Sequence, residues 1–499
     1  MTVTAAETSA PERHFPWLSA LRLVLVVACT GLAFWGLWAE LIEDIGQGSD
    51  IGYVFALPVL AAFAATGMAL RRGPELPIYD RQTDIIVGLL GLAGTAALEG
   101  LLVLRYPYEY EIWHLDLLSA PLFLMSASIL LFGLRPVFRF WPVWLLVLLC
   151  ATPAQYRLAV ALLGGSYVAK GAVLLIPAAA AAAIGSGRTR GRACAGGAIA
   201  LAAGALALFV LWAWFPDVSA LYYQLVPPIV AVYTATTVMY LAYRGWAHVR
   251  PFDRPLLPYT ASRSPSALLT VLVATALTAL IPFPTQYLVQ IAHTPDMSIA
   301  ASPATPPGWQ LLNEREYPWA SRFFGPSTSW HREQWQAVRG NPEWDKESRR
   351  RRIMVDVIRT QQTRGLEYFP ELTVYTLAQP RVSPPRRIDL GHGVTARLNT
   401  VVDDRQLLSW TWLSWNWVGR DGAERVSLIA ADNHLPDAVF PQPNASVRVL
   451  FENQLHQVLR GNAVVIDPES DFGEPDSEYK DEAMLTAVAR EVVRIGSGG

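Results

Sequence analysis

The sequence predicts a two-part molecule: a polytopic α-helical membrane bundle of about nine transmembrane helices, followed by a soluble α+β domain with a mostly antiparallel sheet. Three observations predict it. Between residues 18 and 285 run roughly nine apolar segments, each near the ~20 residues that cross a bilayer. Arginines gather in every second connection: Arg71, Arg72 and Arg81, then Arg135 and Arg139, then Arg188, Arg190 and Arg192, and finally Arg244, Arg250, Arg254 and Arg263. The connections between them hold only Arg105, Arg157 and Lys170. After residue 290 the long apolar runs give way to alternating patterns and ordinary charge density.

Short loops rich in Lys and Arg stay cytoplasmic. The N-terminus is therefore expected inside, and everything after the ninth segment outside, in a multi-pass protein of the inner or plasma membrane. The expected organisation is a cytoplasmic tail over 1–17, a helical domain over 18–285, a linker over 286–310 and an extracytoplasmic domain over 311–499. The whole-chain averages, 52% hydrophobic and 16% charged with a mean hydropathy of +0.26, blend these unlike parts. A net charge of −2 without a basic face away from the loops excludes nucleic acid as a partner. The lipid bilayer is the partner that the segments require.

In order, the apolar segments cover 18–38, 51–70, 84–104, 115–134, 140–163, 168–186, 194–215, 218–243 and 266–285. The first is too long for a signal-peptide core and is read as a retained helix. In the fifth, Pro153 with Gln155 and Arg157 ends the true span early, leaving a remainder that lies along the interface or dips back. The sixth and seventh are built from Ala and Gly, which lets helices approach closely. Pro227 and Pro228 predict a kink in the eighth, and Tyr222 and Tyr223 suit an aromatic belt.

Pro, Ser and Ala mark the linker, with Pro306 and Pro307 keeping it extended. Beyond it, residues 348–365 read as a helix with a basic start. Strands are expected near 368–378 and 394–402, and at 407–418, where Trp410 and Trp412 share one parity and Leu413, Trp415 and Trp417 the other. That switch requires a bulge or two buried faces. The 419–422 stretch, GRDG, signals a hairpin, with a returning strand over 425–431. Helices are expected over 447–460, capped by Asn444 or Ser446, and over about 480–495. The domain has no cysteine and must hold itself together by packing.

Two stretches resemble the exosortase/archaeosortase family of polytopic membrane proteins. GSDIGYVFALP at 48–58 is similar to the turn and helix after that family's first span. LFGLRPVFRFWPVWLLVLLCATP at 131–153 is similar to its arginine-containing inner loop, aromatic-Pro, leucine run and closing proline. The resemblance covers about residues 20–215. It implies a cysteine transpeptidase-like or protease-like enzyme that processes or anchors exported proteins by their sorting signals, or supports exopolysaccharide export. That chemistry needs a thiolate, a basic partner and an arginine near the outer face. ACAGG at 193–197 is the match to the family's cysteine segment, which makes Cys194 the implied nucleophile. The arginines at 188–192 place it at the cytoplasmic end of its helix, on the side away from such a substrate, so a catalytically degenerate relative is also expected.

The bland reading of Cys194 is a small residue in an Ala/Gly helix contact, and Cys29 and Cys150 read the same way. Arg157, with Tyr156 and Lys170, suits an anionic group near the outer face, or simply headgroup contact. The expected outer loops also collect acids: Glu40, Glu43, Asp44 and Asp50 in the first, then Glu109, Glu111, His114 and Asp116. Glu99 adds a carboxylate inside an apolar segment. These motivate a second function, a glycosyltransferase for lipid-linked sugars whose outer-loop carboxylate deprotonates the acceptor hydroxyl. A third is a membrane-anchored binding module that recognises an envelope glycan or a partner protein. The catalytic candidates are Cys194, Arg157, His114 and Asp50. His331, His392, His434 and His456 lack zinc-type spacing, so no metal ligand set and no cofactor are expected. The tryptophans at 410–417 read as a core strand or as a surface for sugars.

Overall fold

The structure, a computed structural model, describes residues 17–46, 48–70, 81–104, 110–244, 265–282, 292–293, 305–369, 371–377, 380–383, 385–403, 405–419, 422–460 and 479–497. Arg71, Arg72, Arg105, Glu109, Arg250, Arg254, Arg263 and most of the expected linker lie outside these residues.

The first apolar segment bends. Helices α1 (Trp17–Ala33) and α2 (Trp35–Gly46) meet at 69° around Phe34. The second helix turns Leu37, Leu41 and Asp44 inward at helical spacing. A 3-10 turn over Asp50–Phe55, capped by the Ser49 hydroxyl accepting from the Ile51 N–H, feeds α3 (Ala56–Ala69). Then come α4 (Arg81–Ala97), a π turn over Leu98–Val103, the short α5 (Tyr110–Trp113), α6 (Asp116–Phe132) and α7 (Leu134–Phe138). The fifth segment breaks as its proline requires. Helices α8 (Trp141–Ala151) and α9 (Pro153–Leu162) meet at 70°, with Thr152 in the extended conformation forced before Pro153.

The remaining bundle helices are α10 (Tyr167–Ser186), α11 (Arg190–Trp214), α12 (Ala220–Arg244) and α13 (Pro265–Ala279). The Ala/Gly helices pack closely: a Cβ added at Gly204 of α11 would stand 2.4 Å from the Leu175 side chain of α10. Pro227 and Pro228 sit inside α12, a single helix of 25 residues.

Among the described residues, five helices are long and apolar enough to cross a membrane, or up to seven if each bent pair is one span. Helices α6 and α13, with 17 and 15 residues, are apolar but shorter. Large apolar side chains such as Leu90, Ile176, Leu206 and Leu277 face outward from these helices, as expected where lipid replaces water around a membrane-embedded protein. Arg81 opens α4 and Arg135 lies in the short α7 that follows α6, at adjoining ends of two packed helices. There Arg81 donates to the Leu130 carbonyl, and Asp84 accepts from the Leu134 N–H.

The C-terminal region is a nine-stranded sheet with the order β2-β3-β4-β9-β8-β7-β5. Its strands are β1 (Ala292–His293), β2 (Trp309–Glu316), β3 (Ser329–Ala337), β4 (Arg352–Thr360), β5 (Arg381–Val382), β6 (Arg386–Gly391), β7 (Val394–Asp403), β8 (Leu408–Gly419) and β9 (Gly422–Ala431). All pairings are antiparallel except β1 with β8, so a piece of the expected linker belongs to the sheet.

Residues 352–360 correct the helix expected there. Ile353, Val355 and Val357 are buried on one face, Met354 and Ile358 on the other, in a strand between β3 and β9. Branched residues buried on both sides favour a strand over an amphipathic helix. The expected strand at 368–378 is instead the end of a helix and a turn, with one bridge from Tyr375 to Pro443. The tryptophans of β8 alternate without a bulge. Trp410 and Trp412 enter the core on one face, and Leu413, Trp415 and Trp417 the core on the other.

Four helices complete the domain: α14 (Ser321–Phe324), α15 (Thr363–Tyr368), α16 (Val447–Arg460) and α17 (Glu482–Gly496). The last covers the face of Trp415 and Trp417 with Leu485, Val488 and Val492. The opposite face packs through Phe323 and Phe324 on Leu158 and Ala161 of α9. The two parts of the chain therefore share one apolar core across their boundary.

Candidate functional site

Polar groups converge where α9 meets the sheet domain. Asp50 opens the 3-10 turn before α3, and Arg157 lies on the far side of the bend between α8 and α9. The Arg157 Nε sits 3.3 Å from Asp50 Oδ1, with the arginine side chain only 3% exposed. Gln224 of α12 donates from Nε2 to the Asp50 carbonyl at 2.6 Å and to the Tyr156 hydroxyl at 3.0 Å. The Gln224 Oε1 is buried and has no hydrogen-bond donor. Tyr156 donates to the Lys170 carbonyl, and its ring stacks on Tyr53 at 4.2 Å. Lys170 is buried within electrostatic reach of both Asp50 and Arg157.

The sheet domain closes this mouth with α15. The Arg157 guanidinium stands 3.5 Å over the Tyr368 ring, and the Tyr368 hydroxyl meets that of Ser49. Arg364 reaches Asp44 of α2 at 2.8 Å and Glu367 at 2.6 Å.

A six-residue helix is too short to hold itself, and the sheet holds this one. Arg425 of β9, fully buried, donates to the carbonyls of Leu366 and Phe369 and to Asn416 Oδ1. Burial works against its charge, and Glu371 restores part of that loss. Burial would raise the Glu371 pKa, but Arg397 and Arg425 pull it down to about 2. The line from sheet to membrane site thus runs from Arg425 through α15 to Tyr368 and Arg157.

A second group lies on α2 and the turn between α5 and α6. Ligand atoms of Glu40, His114 and Asp116 all fall within 4.8 Å of one another. The Tyr110 hydroxyl bonds to Glu40 and Asp116. His114 is fully buried with a φ of 38°, a strained backbone for a residue other than glycine. One imidazole and two carboxylates braced by a phenol are a donor set that a divalent ion accepts.

Of the predicted catalytic residues, the structure brings Asp50 and Arg157 into contact and puts His114 in the neighbouring group. It does not bring Cys194 to them. Cys194 is exposed near the start of α11, at the other end of the α10–α11 hairpin from Lys170. Sixteen residues of helix separate Lys170 from Ser186, about 24 Å at 1.5 Å per residue. Cys29 is buried in the bundle core. Cys150, half-buried, ends α8 beside the Tyr53 hydroxyl and packs against apolar neighbours.

The side chains of Glu111 and His456 lie outside the described residues. His331 faces Glu314 at 3.8 Å, and His392 occupies a turn with φ 51°. His434 sits between Asp345 and Asp481 at 3.6 and 3.7 Å. Sequence reasoning missed Tyr53, Gln224, Tyr368 and Arg364 at the junction. Gln224 carried a signal, an amide inside an apolar helix, whereas Tyr368 and Arg364 carried none. No family model, no curated protein and no solved structure matches the chain.

Proposed function

We propose that the chain is a multi-pass envelope protein that carries out group transfer on a membrane-tethered substrate at the junction of its bundle and sheet domain, with carboxylate rather than thiol chemistry. On this reading α6 and α13 also cross, giving nine spans, with the arginine-bearing end cytoplasmic and the sheet domain outside in the exosortase-like arrangement. The observation that carries it is the ion pair of the buried Arg157 with the partly exposed Asp50, with Lys170 in reach. Transfer of a lipid-linked sugar needs this set. An acceptor hydroxyl attacks the anomeric carbon and gives its proton to Asp50. The bond from that carbon to the phosphate oxygen breaks, and Arg157 and Lys170 meet the departing phosphate. Substrate access requires α15 to part from α9.

The test is turnover of a polyprenyl-phosphate-linked sugar by the full chain in nanodiscs. Asp50→Asn should lose at least about a hundredfold, the scale of a general base, while Cys194→Ser and Cys150→Ser keep wild-type rates. A dead cysteine variant beside an active Asp50→Asn would overturn the reading.

The second reading is exosortase-like processing of sorting signals. The position of Cys150 favours it over Cys194 as the thiol, because Cys150 lies one residue before the carbonyl that accepts the Tyr53 hydroxyl. Cleavage of a sorting-signal peptide that vanishes in Cys150→Ser would establish that route.

A further inference from the structure

Away from the junction, the sheet face that meets the bundle carries a cleft of about 350 Å³. It lies over β2, β3 and β4 and under the 438–442 loop. Asn313, Arg315, Arg332, Gln334 and Gln442 give it polar walls, and Phe440 with Met354 and Val439 gives it an apolar one.

Arg332 is the informative residue. It is only 4% exposed, and it spends Nη2 on Asp356 Oδ2 at 3.1 Å. Its Nε and Nη1 are buried without a well-aligned acceptor, with the Tyr317 hydroxyl the neighbour that interacts with the guanidinium. Burial opposes the guanidinium charge, but Asp356, Tyr375 and the neighbouring Tyr317 more than offset it, so the group holds its proton more firmly than usual. Asp356 is itself fixed by Trp330 and Tyr375. A buried cation whose donors are poorly satisfied is costly unless something accepts from them.

Arg315 makes the cost larger. It is the direct cross-strand partner of Arg332, and like charges placed opposite destabilise a strand pair. Among the described residues Arg315 forms no ion pair. Two guanidiniums against one carboxylate leave one positive charge to be met, and among the described residues no carboxylate lines the cleft.

We propose that this cleft binds a hydroxyl-rich acidic saccharide, seating one sugar unit of the uronic acid class with its single carboxylate. The carboxylate would take the exposed Arg315 donors, with the buried Arg332 charge beneath them. The three carboxamides both donate and accept, as sugar hydroxyls require, and Phe440 offers a ring to the sugar's C–H face. A peptide fits less well, because the cleft lies over the faces of β2, β3 and β4 and is walled by side-chain amides, not by the backbone edge of β2. The proposal does not rest on the junction chemistry.

The experiment is titration of the full chain in nanodiscs with a galacturonic acid trimer, its methyl ester, a neutral galactose trimer and a short peptide with a free C-terminus. The acidic trimer should bind saturably and weaken with added salt, and the ester and neutral trimer should bind at least tenfold more weakly. Arg315→Gln, an exposed position, should cost about tenfold in affinity, ~1.4 kcal/mol, with an unchanged melting temperature. Arg332→Gln combined with Asp356→Asn removes both buried charges together and should abolish binding in a folded chain. Asp50→Asn should bind like wild type, which separates failure here from failure at the junction. No saturable binding of the acidic trimer, equal binding of its ester, tighter binding of the peptide, or indifference to Arg315→Gln would each overturn the proposal.

Discussion

The Arg157 guanidinium lies 3.5 Å over the Tyr368 ring, so a bundle residue and a sheet-domain residue close on each other face to face. With Arg157 almost wholly buried, this contact is desolvated, the condition in which cation–π attraction approaches about 2 kcal/mol. Tyr368→Ala should therefore loosen the junction, and Tyr368→Phe, which keeps the ring and loses the hydroxyl's contact to Ser49, should loosen it less. Trypsin sensitivity of the 363–369 stretch is the measurement, with cleavage ordered Ala, Phe, wild type from fastest to slowest.

The Asp50–Arg157 pair gives a sharper energetic expectation. Removing one member leaves its partner's charge less well met in a largely buried site, a loss on the order of 3 kcal/mol. Removing both should cost less than the sum of the singles. Melting temperatures of Asp50→Ala, Arg157→Ala and the double variant form the cycle, and strict additivity would mean that the two residues do not interact.

Much of this arrangement was legible in the sequence and some was not. The apolar runs and the Thr152–Pro153 break were readable because their causes are local: hydrophobic length, and the steric demand of proline on its predecessor. The strand at 352–360 was misread because four arginines before an apolar stretch resemble a helix start, while burial on both faces is set by neighbours far away in the chain. Asp50 and Arg157 were picked out singly, from loop position and charge. Their pairing joins residues 107 apart, and no local pattern reports that. Tyr368 and Arg364 were invisible for the same reason, since their roles depend on Arg425 holding α15 from a strand that follows it.

Arg425 should act at a distance. Arg425→Lys keeps a charge but loses the fork that binds the Leu366 and Phe369 carbonyls together. Hydrogen exchange over 363–369 should accelerate in this variant while β8 and β9 stay protected. Uniform acceleration across the sheet would show a general loss of stability instead.

Glu371 sets a pH window. Its pKa is lowered from 4.5 to about 2 in the fold. Its contribution is therefore fully present above the unfolded value and lost as pH falls from about 4.5 towards 2, a term on the order of 3 kcal/mol. Acid unfolding monitored by tryptophan fluorescence should show this loss in wild type. Glu371→Gln should be less stable at neutral pH and flatter through that interval.

The most direct test of the junction as the working site is photo-crosslinking to a labelled lipid-linked sugar. A benzophenone amino acid is placed at Gln155, exposed on α9 two residues before Arg157, or at Cys194 on the far end of the bundle. The account predicts a labelled adduct from position 155 and none from position 194. Labelling from position 194 alone would contradict it.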